Sequence, residues 1–159
     1  NPTGSHINNK KNWRRNVFLS CRCADINTNP FEVGLDRLVY LNNEINYIGK
    51  NSLKKIFQKG ISRKLVGLEI DCEPLESPNT NFWPILFNDK NVGKITSSVY
   101  SPRLKKNIAL AMIDINYTKI GIELKTINNI KYHKTNCKII EKPFFDPKKK
   151  LLQNKYNNL

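Results

Sequence analysis

From residue 64 onward the apolar positions recur at the spacing of β-strands. The run KLVGLEI places Leu65, Val66, Leu68 and Ile70 ahead of Pro74 and Pro78. A second run spans Phe82 to Phe87, where Pro84 predicts an edge strand or a bulge, since proline cannot donate to a ladder. Asn88-Asp89-Lys90-Asn91 is hairpin-turn chemistry. Beyond it Val92, Ile95 and Val99 alternate toward Tyr100, and Ile108, Leu110 and Met112 crowd the stretch from Asn107 to Ile115. A Ser101-Pro102 turn and a basic pair separate these third and fourth strands. Gly121 to Ile127 reads as a fifth strand and, past Asn128-Asn129, Ile130 to Ile140 as a sixth that Pro143 stops. Short strands divided by turn signals predict a small barrel or sandwich. Closure removes the edges that such strands otherwise expose.

The pattern ahead of residue 63 is different. Leu53, Ile56 and Phe57 stand at i, i+3 and i+4, which predicts a helix within Tyr47 to Gly60. Asn51 or Ser52 is its expected cap, Lys59 suits its C-terminal dipole and Gly60 its termination. Asn29-Pro30 signals a turn, and FEVGLDRLVYL (31–41) reads as strand-like around Gly34. The expected fold class is therefore α+β: strand–helix material that looks like the end of an α+β unit, followed by a C-terminal six-stranded antiparallel β-barrel. The expected boundaries are 1–62 for the α+β remnant, 63–147 for the barrel and 148–159 for a frayed tail.

Composition narrows the function classes. The 159 residues are 39% hydrophobic, and no apolar run approaches the roughly 20 residues that a bilayer span needs. The N-terminus shows no apolar signal region, and a cytoplasmic location is expected. It begins with Asn1 rather than Met, so further chain is expected upstream. A net charge of +14 invites a polyanionic partner. However, Lys outnumbers Arg 21 to 6 and there are 23 Asn, a pattern that A/T-rich codons produce. Nucleic-acid readers favour Arg, and these lysines are scattered. Cys21, Cys23, Cys72 and Cys137 with His6 and His133 lack zinc-ligand spacing, so reduced thiols and no metal are expected.

Five segments carry a family resemblance, in the family's order and spacing from 29 to 149. They are NPFEVGLDRLVYL (29–41), YIGK (47–50), RKLVGLEI (63–70), VGKITSSVYSPRLKKNIALAM (92–112) and KPFFDPKK (142–149). Together they resemble the glycine cleavage T-protein, or aminomethyltransferase, family. Within it, NPFEVGLDRLV, Trp83-Pro84 and the Phe-x-Asp-Pro close are most similar to dimethylsulfoniopropionate demethylases and demethylase-like aminomethyltransferases. The resemblance implies a one-carbon transferase dependent on tetrahydrofolate, with a three-domain body around a folate channel. It implies a small methyl or aminomethyl donor as the other partner. The chain resembles only the end of the second domain and the whole third, so the N-terminal domains are expected to lie outside it.

The resemblance places no catalytic residue here, because the family's acidic residue near folate lies in its first part. The fragment alone is expected to be inactive. Counting back from Asp25-Ile26 puts Arg14, with Arg15 beside it, at the family's folate-site arginine. Asn16 and Phe18 stand where the family has Glu and Gly. A guanidinium there suits a folate carboxylate, which it grips bidentately. Lys105 and Lys106, with Arg103, flank the Ser101-Pro102 turn and are candidates for attracting the anionic folate tail. The competing reading is a turn held by local hydrogen bonds, its Lys stems packed on neighbouring surface, with Asn107 bonding backbone at the turn. Glu32, Asp36 and Arg37 read as ion-pairing residues rather than acid–base groups. Phe82, Trp83, Tyr100, Phe144 and Phe145 read mostly as core. The alternative function is a free-standing basic β-barrel binding nucleic acid or a partner subunit. Aromatics not interleaved with Arg argue against nucleic acid.

Overall fold

The computed structural model describes residues 24–42, 44–128, 133–142 and 144. Helix α1 (Lys50–Lys59) is followed by β1 (Arg63–Ile70), β2 (Trp83–Phe87), β3 (Lys90–Ser101), β4 (Lys106–Asp114), β5 (Glu123–Asn128) and β6 (His133–Ile140). The strands close into a barrel in the order β1-β4-β3-β2-β5-β6, every pair antiparallel. The predicted six-stranded antiparallel barrel is therefore what the chain forms.

Antiparallel closure gives the barrel two ends. Arg63 pairs with Asp114 at one end of β1, and Ile70 with Asn107 at the other. Seven residue steps separate them, roughly 23 Å along an extended strand. The tip of the β2–β3 hairpin lies at the Arg63 end, the 101–106 turn at the Ile70 end.

Alternation sorts the strand residues. Leu68, Ile85, Ile95, Ala111 and Ile113 fill the lumen with no exposed surface, and Trp83 joins them. Thr126 is a fully buried polar residue, its hydroxyl donating to the Pro84 carbonyl at 2.9 Å. Strand β1 breaks alternation, with Leu65 to Leu68 buried in succession. Its outer face is covered too, because Leu65 packs with Met112 and Val33 in a second, smaller core.

The β1 edge explains this covering. Strand β6 pairs only with Gly67 to Ile70, which leaves the first half of β1 open on one side. The Leu65 N–H donates to the Glu32 carbonyl at 2.7 Å, and its carbonyl accepts from Lys142 Nζ at 2.8 Å. Both groups of the open edge thereby find partners, which buried backbone requires.

Two local expectations need correction, and a third is decided between its alternatives. Residues 31–41 form no strand: 30–34 are a tight turn and Asp36–Leu38 a single 3-10 turn. The competing signal is a helix-start device. Asn29 Oδ1 accepts the Phe31 and Glu32 N–H groups at 3.1 Å each, and Glu32 Oε2 accepts the Asn29 N–H at 3.2 Å. This is a reciprocal capping box with proline just inside it. Gly34, at φ +74°, then ends the turn as Leu35 N–H bonds Pro30 O. Neither Asn51 nor Ser52 caps α1; Gly49 occupies that position without a side-chain bond. Of the two readings of Pro84, the edge fails, because β2 pairs on both sides, and the irregularity beside it is of the bulge kind. Pro84 lies just outside the short β2–β5 ladder, next to a register shift between Ile85 and Leu86.

Candidate functional site

Three features at the barrel surface concern function: an ionic joint at the Arg63 end, a basic turn at the Ile70 end, and an apolar face ahead of the barrel.

The joint is built on Glu32. While Oε2 closes the capping box, Oε1 accepts from Arg63 Nε at 3.2 Å. The Glu32 side chain is buried and Arg63 half-buried, so water screens the pair little. Arg63 Nη2 also reaches the Asn27 carbonyl and Thr28 Oγ1, both at 3.4 Å, and lies 3.7 Å from Asp25. The Asp25 carboxyl is held below its ordinary pKa, first by the Thr28 hydroxyl, then by the Asn27 N–H, with Arg63 and Lys94 adding to both. The expected ion pairing of Glu32 is thus present. Asp36 and Arg37 are exposed on the 3-10 turn.

The basic turn joins β3 to β4. Ser101 Oγ accepts the Leu104 N–H at 3.4 Å, and Lys105 adopts φ +53°, a left-handed conformation unusual outside glycine. Arg103, Lys105 and Lys106 are all exposed. Lys106 Nζ bonds Glu69 Oε1 on β1 at 2.6 Å. Sequence proximity therefore sets the two lysines side by side, while pairing distinguishes them: Lys106 is shared with a carboxylate of the barrel wall. Arg14 and Arg15 lie outside the described residues. The nearest described part of the chain, Ala24-Asp25, sits at the Arg63 end, opposite the basic turn.

Asn107 does not serve the turn. It is buried, and its Nδ2 donates to the Cys72 and Glu73 carbonyls at 2.8 and 3.0 Å, lying 3.3 Å from Cys72 Sγ. Its Oδ1 accepts the Leu75 N–H at 2.9 Å. One side chain thus fastens the long β1–β2 connection over the barrel end. Asn79 assists by accepting from the Ser98 N–H and hydroxyl at 2.6 and 3.1 Å. These bonds span 19 to 35 residues, so no local sequence signal announces them.

The apolar face lies between residues 38 and 57. Leu38, Val39, Tyr40, Ile45, Tyr47 and Leu53 line a shallow hollow of about 350 Å³. Lys50 is buried at its margin, donating to the Ile45 carbonyl at 3.0 Å with its ammonium 5.9 Å from the Tyr47 ring centre. Phe57, expected on the buried helix face, is 65% exposed, with its ring 5.6 Å from that of Phe31 in the capped turn.

The remaining candidates resolve simply. Trp83 is core, whereas Phe82 is half-exposed under Lys94, whose ammonium lies 4.3 Å from its ring centre. Cys72 and Cys137 are free thiols, and burial pushes Cys137 up to about 12. Cys21, Cys23, His6 and Phe145 lie outside the described residues. Among the described residues no helix is long and apolar enough to cross a membrane.

A closed antiparallel barrel carrying a capped turn and a helix on the described part of its leading segment defines a barrel module of an α+β protein. The model of the glycine cleavage T-protein C-terminal barrel domain matches residues 63–146, and the chain belongs to that family. An aminomethyltransferase of Listeria innocua serovar 6a is 39% identical over 116 residues, covering 73% of this chain and 31% of that protein. One from Prochlorococcus marinus is 40% identical over 123 residues, covering 76% and 32%. The crystal structure of the glycine cleavage system aminomethyltransferase T from Bartonella henselae superposes with a TM-score of 0.65 at 22% identity, over 76% of this chain and 33% of that one. At that identity the likeness establishes the fold. The chain spans about a third of the length of the curated relatives it matches.

Proposed function

We propose that this chain is the barrel end of a tetrahydrofolate-dependent one-carbon transferase of the cytoplasm, with residues 1–62 completing a folate-binding α+β domain; the expected tail, 148–159, lies outside the described residues. The observation that carries the reading is the family match over 63–146, with relatives named aminomethyltransferase at 38–40% identity. The donor proposed is a sulfonium, as in dimethylsulfoniopropionate demethylases. This rests on the likeness of NPFEVGLDRLV, Trp83-Pro84 and Phe-x-Asp-Pro to those enzymes. The fragment alone is inactive on this reading, and its chemistry waits on the N-terminal domains.

The residues proposed to meet folate are Arg14, Arg15, Lys105 and Lys106. The exposed ammonium groups at the turn suit carboxylates chemically. They offer attraction rather than enclosure, and Lys106 divides its charge with Glu69. Bound tetrahydrofolate supplies a nucleophilic nitrogen for the one-carbon unit; this chain's lysines steer and hold its anionic tail.

The test joins this chain to the N-terminal two-thirds of the Listeria innocua enzyme and measures tetrahydrofolate affinity, then methyl transfer from dimethylsulfoniopropionate. Lys105→Glu with Lys106→Glu is expected to weaken affinity roughly tenfold at low salt and less at high salt. Unchanged affinity assigns the turn a structural role. Transfer only from an aminomethyl donor removes the demethylase reading. Salt-dependent oligonucleotide binding without folate binding favours the basic-barrel alternative.

A further inference from the structure

Past β6 the chain turns across the outer wall of the barrel. Lys142 Nζ donates to the Leu65 carbonyl at 2.8 Å. A Cβ on Gly67 would strike Phe144 Cε1 at 2.8 Å and Lys142 Cγ at 2.9 Å. Leu65 and Gly67 are outward positions of β1, because Val66, Leu68 and Ile70 belong to the core. Lys142 and Phe144 therefore lie as a strap over β1. Strand β6 flanks β1 on one side and β4 on the other. A chain that leaves β6 and reaches the outside of Gly67 is travelling toward β4. The wall in that direction is apolar. In register with Gly67 stand Leu110 on β4 and Ser97 on β3; in the next row, opposite Glu69, stand Ile108 and Val99. Val99 is 43% exposed, and Leu110 and Ile108 are half-buried. The second core takes up Leu110 from the Leu35 side, while Ile108 and Val99 lie one row farther from it.

We propose that this outer wall of β3 and β4 is a docking surface for the chain's own C-terminal segment, residues 145–159, with Ile108 and Val99 at its centre. Continuity favours this occupant, because Phe144 already sits on the wall at the start of the Gly67–Leu110–Ser97 row. Reach allows it: Val99 lies roughly 12 Å from Gly67, two strands across and one row on, whereas residues 145–159 span about 50 Å when extended. The chemistry matches as well. The segment FDPKKKLLQNKYNNL carries Phe145, Leu151, Leu152 and Tyr156 among lysines and asparagines. Apolar side chains on so polar a stretch gain by leaving water, and the nearest apolar surface ahead of the strap is this wall. The segment's overall polarity predicts a frayed tail; the wall it is directed onto supplies the reason for it to settle. The claim is independent of the one-carbon reading, since it concerns only this chain's two ends of one strap.

Val99→Cys in the full chain, read by thiol labelling with the modified peptide identified by mass, tests it. The introduced thiol is expected to label roughly tenfold more slowly than in the same chain carrying Leu151→Asp and Leu152→Asp, because labelling under a docked segment requires it to lift. Carboxylates at those two positions keep the segment in water. Ile120→Cys, 64% exposed on the β4–β5 connection, is expected to label alike in both backgrounds. The buried Cys137 stays unlabelled as long as the barrel is folded. Equal rates at position 99 in the two folded backgrounds overturn the proposal. A rate at position 99 that falls as protein concentration rises also overturns it, in favour of a second copy as the cover. If the double variant does not fold, the unsubstituted chain decides through nuclear Overhauser contacts between the Val99 or Ile108 methyls and those of Leu151 or Leu152. Their presence in dilute protein supports the docked segment, and their absence overturns it.

Discussion

The Glu32 carboxylate bonds two chain segments at once: Oε2 accepts the Asn29 N–H at 3.2 Å, and Oε1 accepts Arg63 Nε at 3.2 Å. A turn that closes on itself is thereby riveted to the first barrel strand. The Glu32 carbonyl adds the third attachment, on the Leu65 N–H. The expected outcome of Glu32→Ala is detachment of the turn, since a half-buried guanidinium loses its nearer and buried anion, keeping only the exposed Asp25, and the cap loses its acceptor. Breaking such a pair together with a cap costs about 3 kcal/mol. Hydrogen exchange at the Leu65 amide reports this directly, accelerating on the order of a hundredfold at about 1.4 kcal/mol per factor of ten. Arg63→Met is expected to do much the same, and the double variant little more, because the two groups act as one unit. Independent, additive effects contradict the joint.

Two glycines on the barrel differ in what a methyl group would strike. At Gly93 a Cβ meets the Met112 carbonyl first and then Ile113 Cα at 2.8 Å, both backbone of the paired strand. At Gly67 it meets Phe144 Cε1 at 2.8 Å and Lys142 Cγ at 2.9 Å, which are side-chain atoms, with the Ile140 carbonyl at 3.2 Å. Gly93→Ala is therefore expected to cost about 3 kcal/mol by forcing β3 off β4, and Gly67→Ala about 1 kcal/mol by displacing the strap that Lys142 and Phe144 lay over it. Denaturant unfolding ranks them. A larger cost at Gly67 means that the strap is part of the cooperative unit.

The barrel was legible because strand period, hairpin chemistry at Asn88-Asp89 and the turn at Ser101-Pro102 all point the same way. Residues 29–35 were not, although their signal was local. Phe31, Val33 and Leu35 alternate like a strand, and only Asn29, Pro30, Glu32 and Gly34 taken together mark a capped turn. The outer burial of Leu65 and Met112 depends on that turn, so it was hidden with it. Asn107 was legible as a hydrogen-bonding residue but not its partners, which lie 32 to 35 residues away. Of the proposed folate contacts, adjacency in sequence brought Lys105 and Lys106 forward alike. Only the register of β1 against β4 shows that Glu69 reaches the second.

The Asn107 fastening makes a separable prediction. Removing its amide strands the Leu75 N–H and two loop carbonyls at the barrel end. Buried unpaired groups cost about 1–3 kcal/mol each, offset where water enters. Asn107→Ala is expected to lose about 3 kcal/mol in global stability. Cys72, whose thiol lies against the Asn107 amide, is expected to react faster with a thiol reagent. Asn107→Asp retains the acceptor for Leu75 but loses both donors, and is expected to release Cys72 as readily. If Cys72 reactivity is unchanged in both variants, the β1–β2 connection is held by Asn79 and Ser98 instead.

Cys137 gives the barrel a dependence on high pH. Its thiol faces the lumen between Leu124 and Ile70 in register, and burial raises its pKa from 9.0 to about 12. A raised folded pKa means that the folded state keeps a proton which the unfolded chain releases. The contribution is fully present below pH 9 and is lost as pH rises toward 12. The slope reaches at most about 1.4 kcal/mol per pH unit for one group. The parent curve sums over all the groups of the chain, so it alone does not isolate the thiol. Cys137→Val, which keeps a small apolar group in the lumen, does: the difference between the two stability curves is expected to be flat below pH 9 and to favour the variant increasingly above it. Parallel curves throughout mean that water reaches Cys137 in the folded barrel. A thiol reagent then labels Cys137 without unfolding, where the closed barrel requires unfolding first.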